Sequence, residues 1–437
     1  MIKIVKDPRY NYTTMFNTKN GNYVRMSNEP MASFAHILDI GVMSQCIHQR
    51  SGMCLKAGIK CYQGVAPEGK QNMSLEDFKR IVDEVQGKAF SLALGGRGDP
   101  NHWENLTPAL EYIHTKYGES LSVCYTTSSF GMTQEQVDIT KKYCSAVAVS
   151  AYSRIEDRPI IAYRKNTTSY TPLYNSFDDI PVKFTLNNMN KDCYQENQSY
   201  IISNEEFDWM DERDFTDDFL NGEYILYRVY NEKQKPNYTL NGIKMLLDAG
   251  VLTNIHYVLS NTTIDEAILR LKYNGFPAGI NAVIFLLHKP VGLGDESDVI
   301  QYDDPRLVEF FELIDKKHDF KVGFDSCTIP GLLNFSKRIN MNSVDTCEAA
   351  RFSMYITADM IALPCSFDNV DQKYAFDLRN GTIQDAWDSE QFNQFRNIFD
   401  TSCPGCPKRA KCLGGCPLQP SITLCDKKEK YNSSRKE

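Results

Sequence analysis

Six short apolar runs punctuate the chain: His36–Val42, Ala89–Leu94, Leu121–Thr126, Ala146–Tyr152, Asn254–Leu259 and Asn281–Leu287. Each is bounded by turn residues and rich in apolar side chains, the pattern of strands buried on both faces of a parallel sheet. Between them the apolar spacing changes to the helical period, over Leu75–Val85, Thr107–Lys116, Gln134–Lys142, Leu240–Ala249, Ile264–Tyr273 and Pro305–Lys316. A Ser74/Asp77 pair marks the start of the first of these helices. Six strand–helix units in succession predict an α/β fold, a partial (β/α)6 TIM-like barrel of parallel strands. Such folds carry their chemistry on the loops after the C-terminal ends of the strands. Residues 1–35 stand outside the rhythm as a polar extension, where Asn20-Gly21 predicts a hairpin turn. The rhythm breaks again from Ser153 to about Pro236, far longer than an ordinary strand–helix connection. That segment is rich in Asn, Tyr and Asp, with one strand-like run at Glu223–Tyr230. It reads either as a lid or peptide-docking platform or as a surface excursion.

Composition narrows the partners. A chain of 437 residues buries one large core plus a smaller domain. A net charge of -8 argues against a nucleic-acid surface, and the short basic tail Lys427–Lys430 reads as a solvated end. No apolar run reaches the roughly 18 residues of a membrane span. The N-terminal stretch lacks the apolar core of a signal peptide, so the fourteen cysteines point to a reducing, cytoplasmic setting.

Those cysteines are not evenly spread. The tail reads C-x2-C-x5-C-x3-C-x8-C through Cys403, Cys406, Cys412, Cys416 and Cys425, with Cys347 and Cys365 upstream. Thiols this dense near Gly and Pro hold metal more often than disulfides, as either zinc or iron–sulfur. The loop after the first strand carries Cys46, Cys54 and Cys61, with His48 between the first two. Three thiolates can hold three irons of a cubane cluster and leave the fourth open to a ligand, or form a zinc site completed by His48. After the second strand comes Gly95-Gly96-Arg97-Gly98-Asp99-Pro100, whose glycines let a small charged ligand approach the backbone or simply make a tight turn. Cys124, Cys144 and Cys193 have no clustered partners and read as small buried hydrophobes.

The tail pattern resembles the SPASM domain, the auxiliary-cluster module of many radical SAM enzymes, with Met360 where a glycine is usual. The cysteine loop, the Gly-Gly-x-Gly-Asp-Pro segment and the run Val283–Gly292 resemble the radical SAM core, although C-x7-C-x6-C is longer than the usual C-x3-C-x2-C. The resemblance implies a barrel over 36–320, interrupted by the insertion at about 153–236, and a small cysteine-rich SPASM domain over 321–437. It implies that Cys46, Cys54 and Cys61 ligate a catalytic [4Fe–4S] cluster. Gly95, Gly96 and Asp99 would then lie along the methionine part of S-adenosylmethionine (SAM), and the 283–292 run would help to line the adenine site. Cys403, Cys406, Cys412 and Cys425 would hold one auxiliary [4Fe–4S] cluster. Cys347, Cys365 and Cys416 would hold a second, with Cys327 as the candidate fourth ligand. The implied activity is reductive cleavage of SAM to a 5′-deoxyadenosyl radical that takes hydrogen from a peptide or protein. Its outcome would be a thioether or carbon–carbon crosslink in a ribosomally made peptide. The alternatives are a maturase oxidising Cys or Ser on a sulfatase, and a non-catalytic iron–sulfur electron carrier or scaffold. Implied partners are an electron donor such as flavodoxin or ferredoxin and, because residues 1–35 look too short for a leader-binding domain, either a separate leader-peptide-binding protein or direct docking of the peptide on the 153–236 segment. Neither nucleic acid nor membrane is expected as a partner.

Overall fold

The computed structural model describes residues 2–26, 31–52, 60–85, 87–150, 160–164, 170–172, 207–209, 224–231, 238–272, 275–340 and 344–426. Cys54, Cys193, the basic tail at 427–430 and most of the 153–236 segment lie outside them.

The chain opens with a three-stranded antiparallel meander, β1 (Ile2–Lys6), β2 (Thr13–Asn17) and β3 (Tyr23–Met26). Gly21 takes φ +72° in the turn between β2 and β3, a conformation only glycine adopts without cost. The six expected strands follow as β4 (Ile37–Ile40), β5 (Ser91–Leu94), β6 (Ser122–Thr127), β7 (Ala146–Ser150), β12 (Thr253–Leu259) and β13 (Ala282–Leu287). Between β7 and β12, β8 (Ile160–Arg164), β9 (Tyr170–Pro172), β10 (Phe207–Trp209) and β11 (Tyr224–Asn231) pair in a separate antiparallel sheet. The expected run at Glu223–Tyr230 is β11.

Two further parallel strands extend the main sheet. β14 (Lys321–Phe324) pairs with β13, and β15 (Ser353–Ile356) pairs with β4 at the other side. β16 (Ile361–Leu363) and β17 (Phe376–Asp377) then add antiparallel, giving the order β14-β13-β12-β7-β6-β5-β4-β15-β16-β17. Neither β14 nor β15 is among the expected strands, because Lys321 and Gly323 interrupt one and the short run Met354–Ile356 of the other sits inside the cysteine-rich segment.

Alternation divides each strand between two faces. On β4, Leu38 and Ile40 are fully buried against the helices, while Asp39 points to the opposite, lumen side. The helices run where the period placed them. Ser74 accepts a hydrogen bond from Asp77 N at 3.0 Å, capping Leu75–Glu84, and Thr133 and Gln136 cap Gln134–Tyr143 reciprocally. The core continues into the tail, where Trp387, Phe392 and Phe395 are all fully buried. Among the described residues no helix is long and apolar enough to cross a membrane.

Candidate active site

The mouth of the sheet, at the C-terminal ends of β4, β5 and β6, gathers the first group of side chains. Cys46 ends the loop leaving β4, and Cys61 lies close by. Burial pushes the Cys61 thiol up, and Cys46 adds to the shift. Three contacts fix the Cys61 segment. Its carbonyl accepts from Leu293 N at 2.9 Å, and Arg97 donates to Gln63 O at 2.5 Å and Val65 O at 2.8 Å. Gly292, at φ +66°, lets its loop press against the backbone of Tyr62 and Gly64.

The glycines after β5 serve different purposes. Gly95 leaves room, its nearest neighbour being Thr126 at 3.7 Å from a hypothetical Cβ. At Gly96 a Cβ would collide with the Tyr355 hydroxyl, and at Gly98 with the Gln45 carbonyl. Two of the three glycines therefore allow close packing at the mouth, and Gly95 alone leaves open space beside it.

Asp99 is buried and heavily bonded. Its carboxylate accepts from Thr127 Oγ1 (2.9 Å), Ser128 N (2.8 Å), Ser128 Oγ (2.8 Å) and Asn101 N (3.1 Å). Burial alone raises its pKa, but hydrogen bonds from His48, Ser128 and Asn101 outweigh it and hold Asp99 ionised below the usual range. His48 stands 3.5 Å from the same carboxylate and 3.0 Å from Ser128 Oγ, with its edge toward His102. His48, Asp99 and His102 are close enough to share a metal ion, and among the described residues His48 Nδ1 and His102 Nε2 have no hydrogen-bond partner. The sequence reading singled out His48 and Asp99 but not His102 or Ser128. His102 follows Asp99 within one turn, which is the signal that could have found it. Ser128 lies beyond β6 and has none.

Beneath the mouth, Asp39 and Cys124 face the lumen from β4 and β6, each in register with Ala93 of β5. Burial, with Glu348 adding, pushes the Asp39 carboxyl up to about 7, and burial pushes the Cys124 thiol up to about 12.

The tail holds two more groups of thiols. Cys403, Cys406, Cys412 and Cys425 line one cavity of about 70 Å³ together with Lys408 and Arg409. Burial raises the Cys412 thiol, and Cys403 and Cys425 contribute. Elsewhere, Cys327 and Cys416 share a hydrogen bond that, with burial, pushes Cys327 well up. Cys347, raised to about 12 by burial, feels Cys327, and Cys365, also raised by burial, feels both. None of the described cysteines is in a disulfide. A set of soft thiol donors gathered around small spaces fits iron–sulfur clusters, with no other donor type needed.

Residues 347–408 match the SPASM family, an iron–sulfur cluster-binding domain. SuiB from Streptococcus suis bound to S-adenosylmethionine superposes with a TM-score of 0.58 at 12% identity, covering 97% of this chain and 98% of that one. SuiB bound to precursor peptide SuiA gives 0.54 at 13%, covering 91% and 77%. This chain has the fold of SuiB, with a SPASM match in its tail. Native anSMEcpe with bound AdoMet gives 0.50 at 15%, covering 91% and 97%. A search of curated proteins by sequence finds no match. Within the SPASM part, the family match ends at Lys408, so Cys412, Cys416 and Cys425 join their groups from beyond it. Met360, where this module usually has glycine, takes φ +64° and keeps the left-handed turn between β15 and β16.

Proposed function

We propose that this chain is a radical SAM/SPASM enzyme that modifies a peptide or protein. The observation that carries the reading is the arrangement of ten described cysteines: two at the mouth of a parallel barrel and two groups of four behind it. In this reading Cys46, Cys54 and Cys61 hold the catalytic cluster, which when bound supplies the electron that cleaves SAM to a 5′-deoxyadenosyl radical. The backbone of Gly95 and Gly96 would lie along the methionine part of the cofactor. Asp99 acts mainly by tying this loop to the end of β6 through Thr127 and Ser128. Arg97 holds the loop to the segment after Cys61, so the cysteines and the cofactor backbone are positioned together.

Behind the barrel, Cys327 completes the set of Cys347, Cys365 and Cys416. Four thiol ligands leave no iron open, which suits this cluster to accepting an electron from a product radical rather than to binding substrate. The likeness in fold to SuiB, solved with a precursor peptide, supports a peptide substrate; the crosslinking outcome rests on the sequence resemblance alone.

Anaerobic reconstitution with iron and sulfide tests this. The expected result is about twelve irons per chain, as for three cubane clusters, and 5′-deoxyadenosine on adding dithionite and SAM. Cys46→Ala and Cys61→Ala should each abolish 5′-deoxyadenosine while about eight irons remain. Zinc in place of iron would overturn the reading.

A further inference from the structure

Lys289 follows β13 in the stretch whose resemblance pointed to the adenine site, yet the fold turns its side chain to the cysteines of the tail. It is 4% exposed, and its ammonium pairs with Asp325. The other Asp325 oxygen accepts from Thr328 Oγ1 at 2.7 Å, which fixes the carboxylate within the turn Ser326–Thr328 that carries Cys327. On its other side, Lys289 Nζ lies 4.6 Å from the ring centre of Phe367, in the turn Ser366–Asp368 that begins at Cys365. The cation is thus clamped between two cysteine-bearing turns. It acts through space on Cys327 and Cys416, and Cys365 feels it too.

Burying an ammonium with a single counter-charge stabilises a fold little compared with an apolar side chain of the same size. Its consequence for a neighbouring cluster is larger. Reduction adds one negative charge to the cluster, and a fixed cation in a poorly solvated wall favours that state.

We propose that Lys289 sets the reduction potential of the cluster held by Cys327, Cys347, Cys365 and Cys416, holding it high enough to receive an electron. The proposal rests on the iron–sulfur reading of those four thiols, but not on SAM chemistry or on a peptide. Asp325 is the counterweight: it positions the cation and partly cancels it.

The test is an anaerobic potentiometric titration followed by EPR on the full-length reconstituted chain, without SAM or peptide. A Cys61→Ala background leaves the two tail clusters to be read. Lys289→Met should lower the midpoint of one cluster by at least tenfold in its reduction equilibrium, about 59 mV for one electron. Lys289→Arg should stay near the parent value. Asp325→Asn should move the same midpoint upward. The cluster at Cys403, Cys406, Cys412 and Cys425 should not move in any of these and serves as the internal reference. A Lys289→Met chain with full iron and an unshifted midpoint overturns the proposal. If that variant fails to take up iron, Asp325→Asn decides, and the absence of an upward shift overturns it equally. Failure of the enzyme reading would show elsewhere, as missing 5′-deoxyadenosine with these potentials unaffected.

Discussion

Met360 shows how a single residue can depart from a pattern while the geometry persists. Its left-handed backbone costs about 1–2 kcal/mol for a side chain with a Cβ, yet the side chain is buried in the core. Packing therefore holds the strain in place. Met360→Ala should lose about 2–5 kcal/mol by leaving a cavity, whereas Met360→Gly loses the same packing but regains about 1 kcal/mol from the backbone. Thermal unfolding of the two variants should rank glycine above alanine. Asp39 makes a second prediction. Its folded pKa near 7 lies above the unfolded value, because burial disfavours the charge. The stability it contributes is whole below about pH 4 and is lost as pH rises through 7. Asp39→Asn should flatten denaturant-derived stability across that window and leave the variant the more stable chain at pH 8. These two residues also mark what a sequence can disclose. The cysteines were legible because spacing alone brings Cys403, Cys406 and Cys412 together. The lumen position of Asp39 was not, since it depends on which face of β4 meets the helices.

At the scale of elements, the loop from Lys289 to Gly294 links two sites. Its Leu293 amide holds the Cys61 carbonyl, and Gly292 fits against Tyr62 and Gly64 where any Cβ would strike backbone. Gly292→Ala combines that collision with a positive φ, so it should displace the Cys61 segment and leave the tail untouched. Iron analysis should fall from about twelve to about eight per chain, with the EPR of the two tail clusters unchanged. Periodicity found the six barrel strands and their helices because each buries an apolar face. It missed β14, whose part-exposed residues are interrupted by Lys321 and Gly323, and β15, a buried four-residue strand too short to stand out within the cysteine-rich segment.

Across the whole molecule, the expected boundary at residue 321 is crossed by hydrogen bonds. β15 pairs with β4 from Ser353–Ile37 to Ile356–Ile40, and Arg25 of the N-terminal meander pairs with Glu348 and lies 3.7 Å over the ring of Phe352. The barrel and the cysteine-rich tail share one sheet. Truncation after residue 340 should expose β4 as an edge strand and give an aggregating product, which size-exclusion chromatography would detect. The second thiol group has a consequence for how such a chain comes into being. Cys327, Cys347, Cys365 and Cys416 come from four separate stretches, so on the proposed reading iron held there would stitch distant segments and close long loops. The stitch cannot be made until Cys416 has left the ribosome and the sheet has drawn the earlier three together. On that reading the last thiol to be made sets the earliest moment at which iron could complete the set. A cell starved of iron would accumulate a folded barrel with an unfastened tail, and protease sensitivity there would report its iron supply.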